Sequence, residues 1–327
     1  MYKDKILNLL RSSKTGHLSG EELARKCGIS RTMVWKHIKS LEREGFGIEA
    51  VPSQGYRIIS APDMIRPDDL RRSLTTTAIG RDVQLFPEVA STNTRAMELA
   101  SHGAPEGTVV IAEMQTGGKG RLGRSWISPK GNLYLSVVLR PDLPMHKAPL
   151  ITLMGAVVVA AAIRDSCGLT AGIKWPNDIL IAGKKVCGLL TEMSAEQDRI
   201  RHVVLGIGVD VNMPLGELPA EIRAVTTTLA AEAGERIDRT AFACALLERL
   251  DRAYRAFLED PSAILREWES LNVTINSRVR ISGAGESFEG RAAGIDPEGR
   301  LIVKQDDGAV RTVAAGDVTI LKGSGVK

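Results

Sequence analysis

Two short segments of the chain bring together residue types that bind anions. The first is GGKGRLGRSW, from Gly117 to Trp126, in which four glycines alternate with Lys119, Arg121 and Arg124. Glycine leaves the main chain bare, so its N–H groups can approach a carboxylate or a phosphate, while the three cations supply compensating charge. The segment therefore predicts a loop that holds negatively charged groups. A flexible surface connection is the alternative.

The second segment is KWPND, from Lys174 to Asp178. An ammonium group is a compact point charge that can stabilise negative charge developing between two reacting oxygens. The motif follows an apolar stretch and precedes the strand-like Ile179 to Ile181, which predicts Lys174 at a strand end. Proline and asparagine also form turns, so a turn without chemistry is the alternative.

Two other nucleotide-binding patterns are disfavoured. Gly118, Gly120 and Gly123 satisfy G-x-G-x-x-G, but a dinucleotide fold needs a helix at the third glycine, and the strand-like run from Leu133 follows instead. A P-loop needs serine or threonine directly after a glycine-lysine pair, and the chain has none in that frame.

The elements that position these segments alternate between helical and strand periods. Strands are predicted at 109–112, 133–139, 179–181, 186–192 and 202–211, and helices at 93–100, 152–165, 242–258 and 264–271. A proline-containing join starts near Pro62, and Pro67 opens a helix. Together they predict a central mixed α/β domain.

The first 60 residues predict a DNA-binding module. Ser19 and Ser30 precede helical patterns as N-caps, and strand-like runs at 48–51 and 56–59 flank a turn. The segment holds eleven basic and six acidic residues, whereas the whole chain has a net charge of only +4. Helix, turn, capped basic helix and wing, in this order, indicate a winged helix-turn-helix. A helical protein-interaction module is the alternative.

The last part of the chain changes to short strands. Strand-like runs at 278–281, 287–295, 301–304 and 310–313 are separated by turn residues, and their spacing predicts a small β-barrel.

Composition restricts the class of protein. The 327 residues suffice for two or three domains, and 43% hydrophobic with 25% charged residues is typical of a globular protein. The four cysteines form no C-x-x-C pair, which disfavours disulfide and zinc scaffolds. The apolar run from Leu150 to Ile163 is short for a bilayer span, and the polar start lacks a signal peptide. We therefore expect a cytoplasmic protein without a membrane partner.

These motifs resemble those of the biotin-protein ligases, in the bifunctional bacterial form that also represses biotin genes. The resemblance rests on the two segments above, on Ser91, Thr92, Asn93 and Gln115, on GKKVCGLLTEM from Gly183, and on the winged helix-turn-helix. It implies an α+β multidomain protein: a winged helix-turn-helix at 1–62, a class II synthetase-like ligase domain of mixed α/β structure at 63–273, and an SH3-like barrel at 274–327.

The resemblance also implies roles for individual residues. Lys174 and Arg121 would be catalytic. Biotin would contact Ser91, Thr92, Asn93, Gln115, Lys119, Gly120, Arg121, Lys174 and Gly188. The adenylate would contact Arg121, Arg124, Trp126, Asn177 and Asp178, with Trp126 stacked on adenine and Asp178 a candidate magnesium ligand. DNA would contact Ser30, Arg31, Thr32, Lys36 and His37.

The implied function is a two-step ligation. Biotin and ATP, with Mg²⁺, would give biotinoyl-AMP, and a lysine of the biotin carboxyl carrier protein of acetyl-CoA carboxylase, or of a similar acceptor, would then receive biotin. The adenylate would act as corepressor by promoting a homodimer on operator DNA. A repressor without catalysis and a lipoate or octanoate transferase are the alternatives. The chain departs from its relatives at Lys119, where many carry arginine, and at Asp210, where they usually carry asparagine.

Overall fold

The computed structural model describes residues 2–13, 16–197, 199–283 and 286–321. The chain divides into two compact units, Met1–Asp63 and Met64–Lys327. The C-terminal sheet therefore belongs to the same unit as the central α/β domain.

The first unit is a winged helix-turn-helix, as predicted. Its elements are α1 (Tyr2–Arg11), α2 (Gly20–Cys27), α3 (Arg31–Arg43), β1 (Gly47–Val51) and β2 (Gly55–Ser60). The Ser19 hydroxyl accepts from the N–H of Glu22 at 3.0 Å, and the Ser30 hydroxyl accepts from that of Met33 at 3.2 Å. Both predicted caps are thus present, and they fix where α2 and α3 begin.

One glycine joins the wing to the helices of this unit. Gly55 has φ +109°, and a Cβ there would lie 2.1 Å from the carbonyl oxygen of Leu18. Leu18 and Tyr56 exchange two backbone hydrogen bonds at this point. Glycine is therefore required for the wing to approach the start of α2.

The second unit is built on a seven-stranded sheet with the order β3-β4-β5-β9-β8-β7-β6. Its strands are β3 (Val83–Phe86), β4 (Val109–Ala112), β5 (Leu133–Leu139), β6 (Ala171–Lys174), β7 (Asp178–Ile181), β8 (Lys184–Glu196) and β9 (Arg199–Val209). Its helices are α4 (Pro67–Ser73), α5 (Thr92–Ser101), α6 (Pro149–Cys167), α7 (Ala220–Val225), α8 (Leu229–Ala233), α9 (Arg239–Glu259) and α10 (Ala263–Leu271). β3 and β4 are parallel, and the other neighbouring pairs are antiparallel.

Strand alternation separates the two faces of this sheet. Val109 and Ile111 join the large core with α6 and α9, whereas Val110 packs with α5 in a smaller cluster. Successive side chains of a strand point to opposite faces, so the sheet is covered on both sides. The result is the mixed α/β architecture that the sequence predicts.

The apolar helix α6 is longer than the predicted run. The segment Met145–Cys167 is long and apolar enough to cross a membrane, with a mean hydropathy of 1.7, so length alone does not exclude a span. However, 67% of its most apolar stretch is buried inside the unit, where α6 packs against the sheet and α9. Its composition is therefore that of a core helix.

Five antiparallel strands form the C-terminal sheet, with the order β13-β12-β11-β10-β14. They are β10 (Arg278–Gly283), β11 (Glu286–Ile295), β12 (Leu301–Lys304), β13 (Val310–Val313) and β14 (Asp317–Ile320). The sequence did not predict β14. Val279, Ile281 and Val303 belong to the same core as the central domain. The indole N–H of Trp175 also donates to the carbonyl of Gly299 at 2.9 Å.

Asp251 of α9 fixes the segment that leads into β3. Its carboxylate accepts from the N–H groups of Thr77, Ala78 and Ile79 at 3.2, 2.9 and 2.9 Å. Burial alone would raise the pKa of Asp251, but these hydrogen bonds outweigh it and lower the pKa. The ionised form therefore stabilises the fold at neutral pH and loses that contribution as pH falls through the lowered pKa.

We predict that Asp251→Asn lowers the unfolding free energy at pH 7 by about 1–3 kcal/mol, because an amide cannot accept all these bonds. The difference between variant and parent should shrink as pH falls below about 4, where this carboxyl becomes protonated in the unfolded chain, and should be lost once pH passes through the lowered pKa of the folded state. Urea unfolding at several pH values measures both effects. Asp68→Asn, whose side chain is half-exposed on α4, is the control. A difference that stays constant down to pH 2 would contradict this account.

Candidate active site

The predicted site residues converge on one cavity of 130 Å³ in the second unit. Twelve of them line it: Ser91, Thr92, Asn93, Gln115, Lys119, Gly120, Arg121, Arg124, Trp126, Asn177, Asp178 and Gly188. The lining residues that the sequence did not single out are Ser125, Tyr134, Lys185, Leu189, Leu190, Gly206, Ile207, Gly208 and Asp317. Lys174 is not among the described residues that line this cavity.

One end of the cavity is a buried network of hydroxyl and amide groups. The Gln115 side-chain oxygen accepts from the N–H of Thr92 at 2.8 Å, and the Ser136 hydroxyl lies 2.8 Å from Thr92 Oγ1 and 2.6 Å from Asn93 Oδ1. The Asn93 amide donates to the Leu190 carbonyl at 3.1 Å and to Glu192 at 2.8 Å. These groups hold one another in fixed orientations and suit a small polar, uncharged ligand group.

The floor of the cavity is bare main chain. Gly188 of β8 and Gly208 of β9 are paired across the sheet. The Trp126 indole lies against both, since a Cβ on Gly188 would be 3.1 Å from its ring and one on Gly208 would be 2.9 Å from its Nε1. On this indole sits the Lys185 ammonium, 4.9 Å from the ring centroid. Within the described chain, Trp126 Nε1 is buried and has no hydrogen-bond partner.

The glycine-rich segment folds back on itself as a tight hairpin. The N–H of Gly120 donates to the Arg124 carbonyl at 2.7 Å, and the N–H of Trp126 donates to the Gly118 carbonyl at 2.8 Å. A Cβ on Gly118 would lie 2.4 Å from the Trp126 carbonyl oxygen, so glycine is required there. Several of the amides expected to bind an anion are thus used within the loop, and side chains supply the positive charge.

Two arginines of this loop are held by the C-terminal sheet. Arg121 Nη1 donates to Asn177 Oδ1 at 3.1 Å and to the Gly316 carbonyl at 3.3 Å. Arg124 forms an ion pair with Asp317 at the start of β14. Burial lowers the pKa of Arg121, and the nearby Asp178 carboxylate opposes this shift. Residues almost 200 positions apart therefore meet at the cavity.

Asp178 carries two ammonium groups. Lys185 Nζ lies 2.6 Å from its Oδ1, and Lys174 Nζ lies 3.0 Å from its Oδ2. Burial alone would raise the pKa of Asp178, but the two lysines outweigh it and lower the pKa. The carboxylate is therefore ionised and holds Lys185 at the cavity, with Lys174 on its other oxygen.

Lys185 is the main cavity residue that sequence reasoning missed. Strict alternation along β8 would place Lys185 and Gly188 on opposite faces. The pairing of β7 with β8 shifts register between Ile179 and Leu180, so that Ile179 pairs with Cys187 and Leu180 with Lys185. This irregularity re-aims Lys185, and its Cε would lie 3.3 Å from a Cβ on Gly188. The only signal in the sequence was the GKKVCG segment, without a role for its second lysine.

A buried polar chain stands behind the cavity wall. Arg239 donates to Glu113 at 2.7 Å and to the Asn132 carbonyl at 2.6 Å, and the Asn132 amide donates to Tyr134 at 2.9 Å and to Asp210 at 3.0 Å. Asp210 is 2% exposed, and burial raises its pKa well above the ordinary value. Asp210 is therefore partnered by Asn132 and is not among the described residues that line the cavity.

In the first unit, the predicted DNA contacts lie at the start of α3. Arg31, Thr32 and Lys36 are exposed, whereas His37 is half-buried. Ser30 is exposed, and its hydroxyl caps the helix. Thus three of the five side chains are freely presented to a partner.

Metal-binding clusters are not a feature of the described residues: none contains three or more histidines, cysteines, aspartates and glutamates in reach of one ion. Asp178, the candidate magnesium ligand, has a lysine on each oxygen. A cation at this carboxylate would have to displace an ammonium group.

Comparison with known protein families assigns all three parts of the chain. Residues 85–210 match the biotin/lipoate A/B protein ligase family, residues 3–57 match an HTH domain, and residues 274–321 match the biotin protein ligase C terminal domain.

Relatives match the chain over nearly its whole length. The chain is 39% identical to the bifunctional ligase/repressor BirA of Bacillus subtilis, over 96% of this chain and 97% of that protein. It is 30% identical to the protein of the same name from Escherichia coli, over 92% of each. Among solved structures, the biotin protein ligase from Aquifex aeolicus in complex with biotin and ATP superposes with a TM-score of 0.63 at 28% identity, covering 74% of this chain and 100% of that one.

We predict that Gly206→Ala destabilises the protein by about 1–3 kcal/mol, as overpacking does. A Cβ at Gly206 would lie 2.0 Å from Asn93 Oδ1, so Asn93 must leave its hydrogen bonds with Ser136 and Leu190. Urea unfolding measures the loss. Gly216→Ala is the matched control, because nothing lies within 4 Å of its added Cβ. Equal stability of the two variants would contradict the assignment of Asn93 to the cavity wall.

Proposed function

The chain belongs to the family of bifunctional biotin-protein ligase/repressors, and on that basis we propose that its cavity joins biotin to ATP through the residues described above. The protein is a biotin-protein ligase and a DNA-binding repressor. One observation carries the proposal for the cavity: two different sets of groups line it. Lys185, Arg121 and Arg124 lie at one end, and the hydroxyl and amide network of Thr92, Asn93 and Gln115 lies at the other.

The first step joins two anions. A carboxylate oxygen of biotin attacks the α-phosphorus of ATP, a new O–P bond forms, and the bond to pyrophosphate breaks. Charge develops on the phosphoryl oxygens, which Lys185 and Arg121 would stabilise, while Lys119 would offset repulsion between carboxylate and phosphate. The amide of Gln115 and the hydroxyl of Thr92 would hold the ureido ring, with Ser91, Asn93 and Gly188 around it. This division separates the neutral head of biotin from its reacting acid.

The second step transfers biotin to a carboxyl carrier protein. The amine of an acceptor lysine attacks the carbonyl carbon of biotinoyl-AMP, an amide bond forms, and AMP leaves. No covalent intermediate with the enzyme is needed, so positioning and electrostatic stabilisation provide most of the acceleration. The non-catalytic alternative is disfavoured by relatives that are named as ligases over the whole length of the chain.

The nucleotide would occupy the side of the cavity near the C-terminal sheet. Arg124 and Asn177 would meet the adenylate, and magnesium would arrive with the triphosphate. Trp126 would stack on adenine once Lys185 leaves its ring face, as an indole does with planar groups. Asp178 would then have one oxygen released for a cation. A cation bound at Asp178 would have to supply the positive charge that the two lysines provide now.

The repressor activity would reside in residues 1–62, with the ligase domain at 63–273 and the C-terminal domain at 274–327. Arg31, Thr32 and Lys36 would enter or flank the major groove, with His37 beside them and Ser30 at the helix start. An operator with two half-sites requires two copies of this unit, and therefore a homodimer. Adenylate binding would promote that homodimer.

The decisive experiment incubates the purified chain with biotin, ATP and an isolated biotin carboxyl carrier domain, followed by an avidin-type blot. Labelling that depends on both biotin and ATP is the expected result. Attachment of lipoate in place of biotin, detected by the mass of the acceptor domain, would support the transferase alternative instead.

We predict that Lys185→Ala lowers biotin-dependent exchange of pyrophosphate into ATP by about 10²- to 10³-fold, the loss typical of one group that stabilises transition-state charge. Lys174→Ala should cost less than about tenfold, because Lys174 pairs with the far oxygen of Asp178 and is not among the described residues that line the cavity. The two variants are matched, since each removes one ammonium from the same carboxylate. The reverse order of losses would restore Lys174, the sequence-based candidate, as the catalytic lysine.

For the repressor, we predict that the sedimenting mass of the protein doubles when biotin and ATP are both present. With either one alone, the mass should stay that of a monomer. The physical reason is that an adenylate can replace the internal partners of Arg121 and Arg124 and so reorder the glycine-rich loop. Sedimentation velocity measures this. A chain that remains monomeric and still binds operator tightly would contradict the proposed dimer.

A further inference from the structure

We infer that Trp35 reads operator sequence through an apolar contact between its indole and the 5-methyl group of thymine. The inference rests on the proposed repressor function and extends it, because Trp35 is outside the set of DNA contacts predicted from the sequence. Its basis is the position of the side chain on α3, the surface around it and the chemistry of the major groove.

Trp35 is exposed on a helix whose apolar face is already buried. Val34, Ile38 and Leu41 fill the core of the first unit and are at most 1% exposed, whereas Trp35 is 51% exposed. The core is therefore complete without the indole. Trp35 therefore lies outside the packed face of α3, and a large apolar group in water gains free energy when a partner covers it.

The indole belongs to the same surface as the predicted DNA contacts. Residues three and four positions apart share a face of a helix, so Trp35 stands beside Arg31, Thr32 and Lys39. It also lines a groove of 770 Å³ between α3 and the wing, whose turn contributes Pro52 and Ser53. A partner that enters between helix and wing must pass over this ring.

The surroundings favour DNA over a protein partner. A protein interface centres on a contiguous apolar patch. The wing side of the groove does contribute the apolar residues Ala50, Val51 and Pro52, but on α3 itself the exposed neighbours of Trp35 are two cations and a hydroxyl group, which suit a polyanion. Met33, the other exposed apolar residue of α3, is two positions away and therefore points elsewhere. Residues 1–60 contain eleven basic and six acidic residues, and this excess of positive charge suits a polyanion.

The major groove offers one apolar group, the thymine methyl. Arg31 and Lys36 can contact phosphates or the polar edges of bases, but their charged ends gain little from a methyl group, and Thr32 offers only one methyl group of its own. The indole supplies a broad apolar surface for it. Burial of one methyl group is worth about fourfold in affinity, which sets the size of the expected effect.

The test uses the full-length chain with biotin and ATP. A random duplex library is selected for binding, and each thymine of the selected sequence is then replaced by deoxyuridine, which removes only the methyl group. The parent protein should lose about fourfold in affinity at one or more thymines of each half-site. Trp35→Ala should bind the unmodified duplex more weakly and show no loss at those thymines, and Trp35→Phe should lie between them.

Two controls separate this contact from general DNA binding. Ile59→Ala removes another exposed apolar side chain of the same unit, 61% exposed on β2, and should keep the thymine-to-deoxyuridine profile of the parent. Trp35→Ala should leave the salt dependence of binding unchanged, whereas Lys36→Ala should lower the slope of log affinity against log salt by about one.

A deoxyuridine profile that is the same for Trp35→Ala and the parent would overturn the inference while leaving the repressor intact. Selection that yields no preferred sequence would overturn the repressor function, and this inference with it. The two failures are therefore distinguishable.

Discussion

The second unit depends on one constraint, the repulsion among its cavity cations. These cations must face the same cavity before any anion is bound there. Lys185, Arg121 and Arg124 each have an internal acceptor: Asp178, the Asn177 amide with the Gly316 carbonyl, and Asp317. Like charges that line one partly buried cavity repel one another and would otherwise push the loop outward. These acceptors keep the cations aimed at one point, and substrates can then replace them.

The acceptors come from distant parts of the chain, which explains why the C-terminal sheet and the central domain form one unit. Asp317 and Gly316 reach the cavity from the C-terminal sheet, while Trp175, directly after β6, donates from its indole to Gly299 and from its main chain to Thr274 at 2.8 Å. The buried Trp175 therefore joins the KWPND turn to the sheet that holds the arginines. The C-terminal sheet is part of the site's electrostatics as well as a cover for the core.

Local patterns in the sequence predicted what local forces decide. The caps at Ser19 and Ser30, and strands β4 and β5 with their bounds, follow from hydrogen-bonding and hydrophobic periodicity. The glycine-rich segment and KWPND were predicted to share a site, and Arg121 with Asn177 places them in one cavity. The sequence could not indicate Lys185, because the register shift between β7 and β8 arises from pairing. Nor could it indicate Asp317, which has no motif and meets Arg124 only after the fold is complete.

The floor of the cavity consists of glycines, which have no side chains. Gly188 and Gly208 leave room for the ligand and for Trp126, and Gly206 leaves room for Asn93. Any larger residue at these positions would fill that space. Because glycine has nothing left to remove, substitution at the floor can only narrow the pocket. A pocket that accepts bulkier analogues of biotin must therefore be engineered in its walls, at a residue such as Leu190, which shares the sheet face of Gly188 and whose truncation leaves the glycine floor in place.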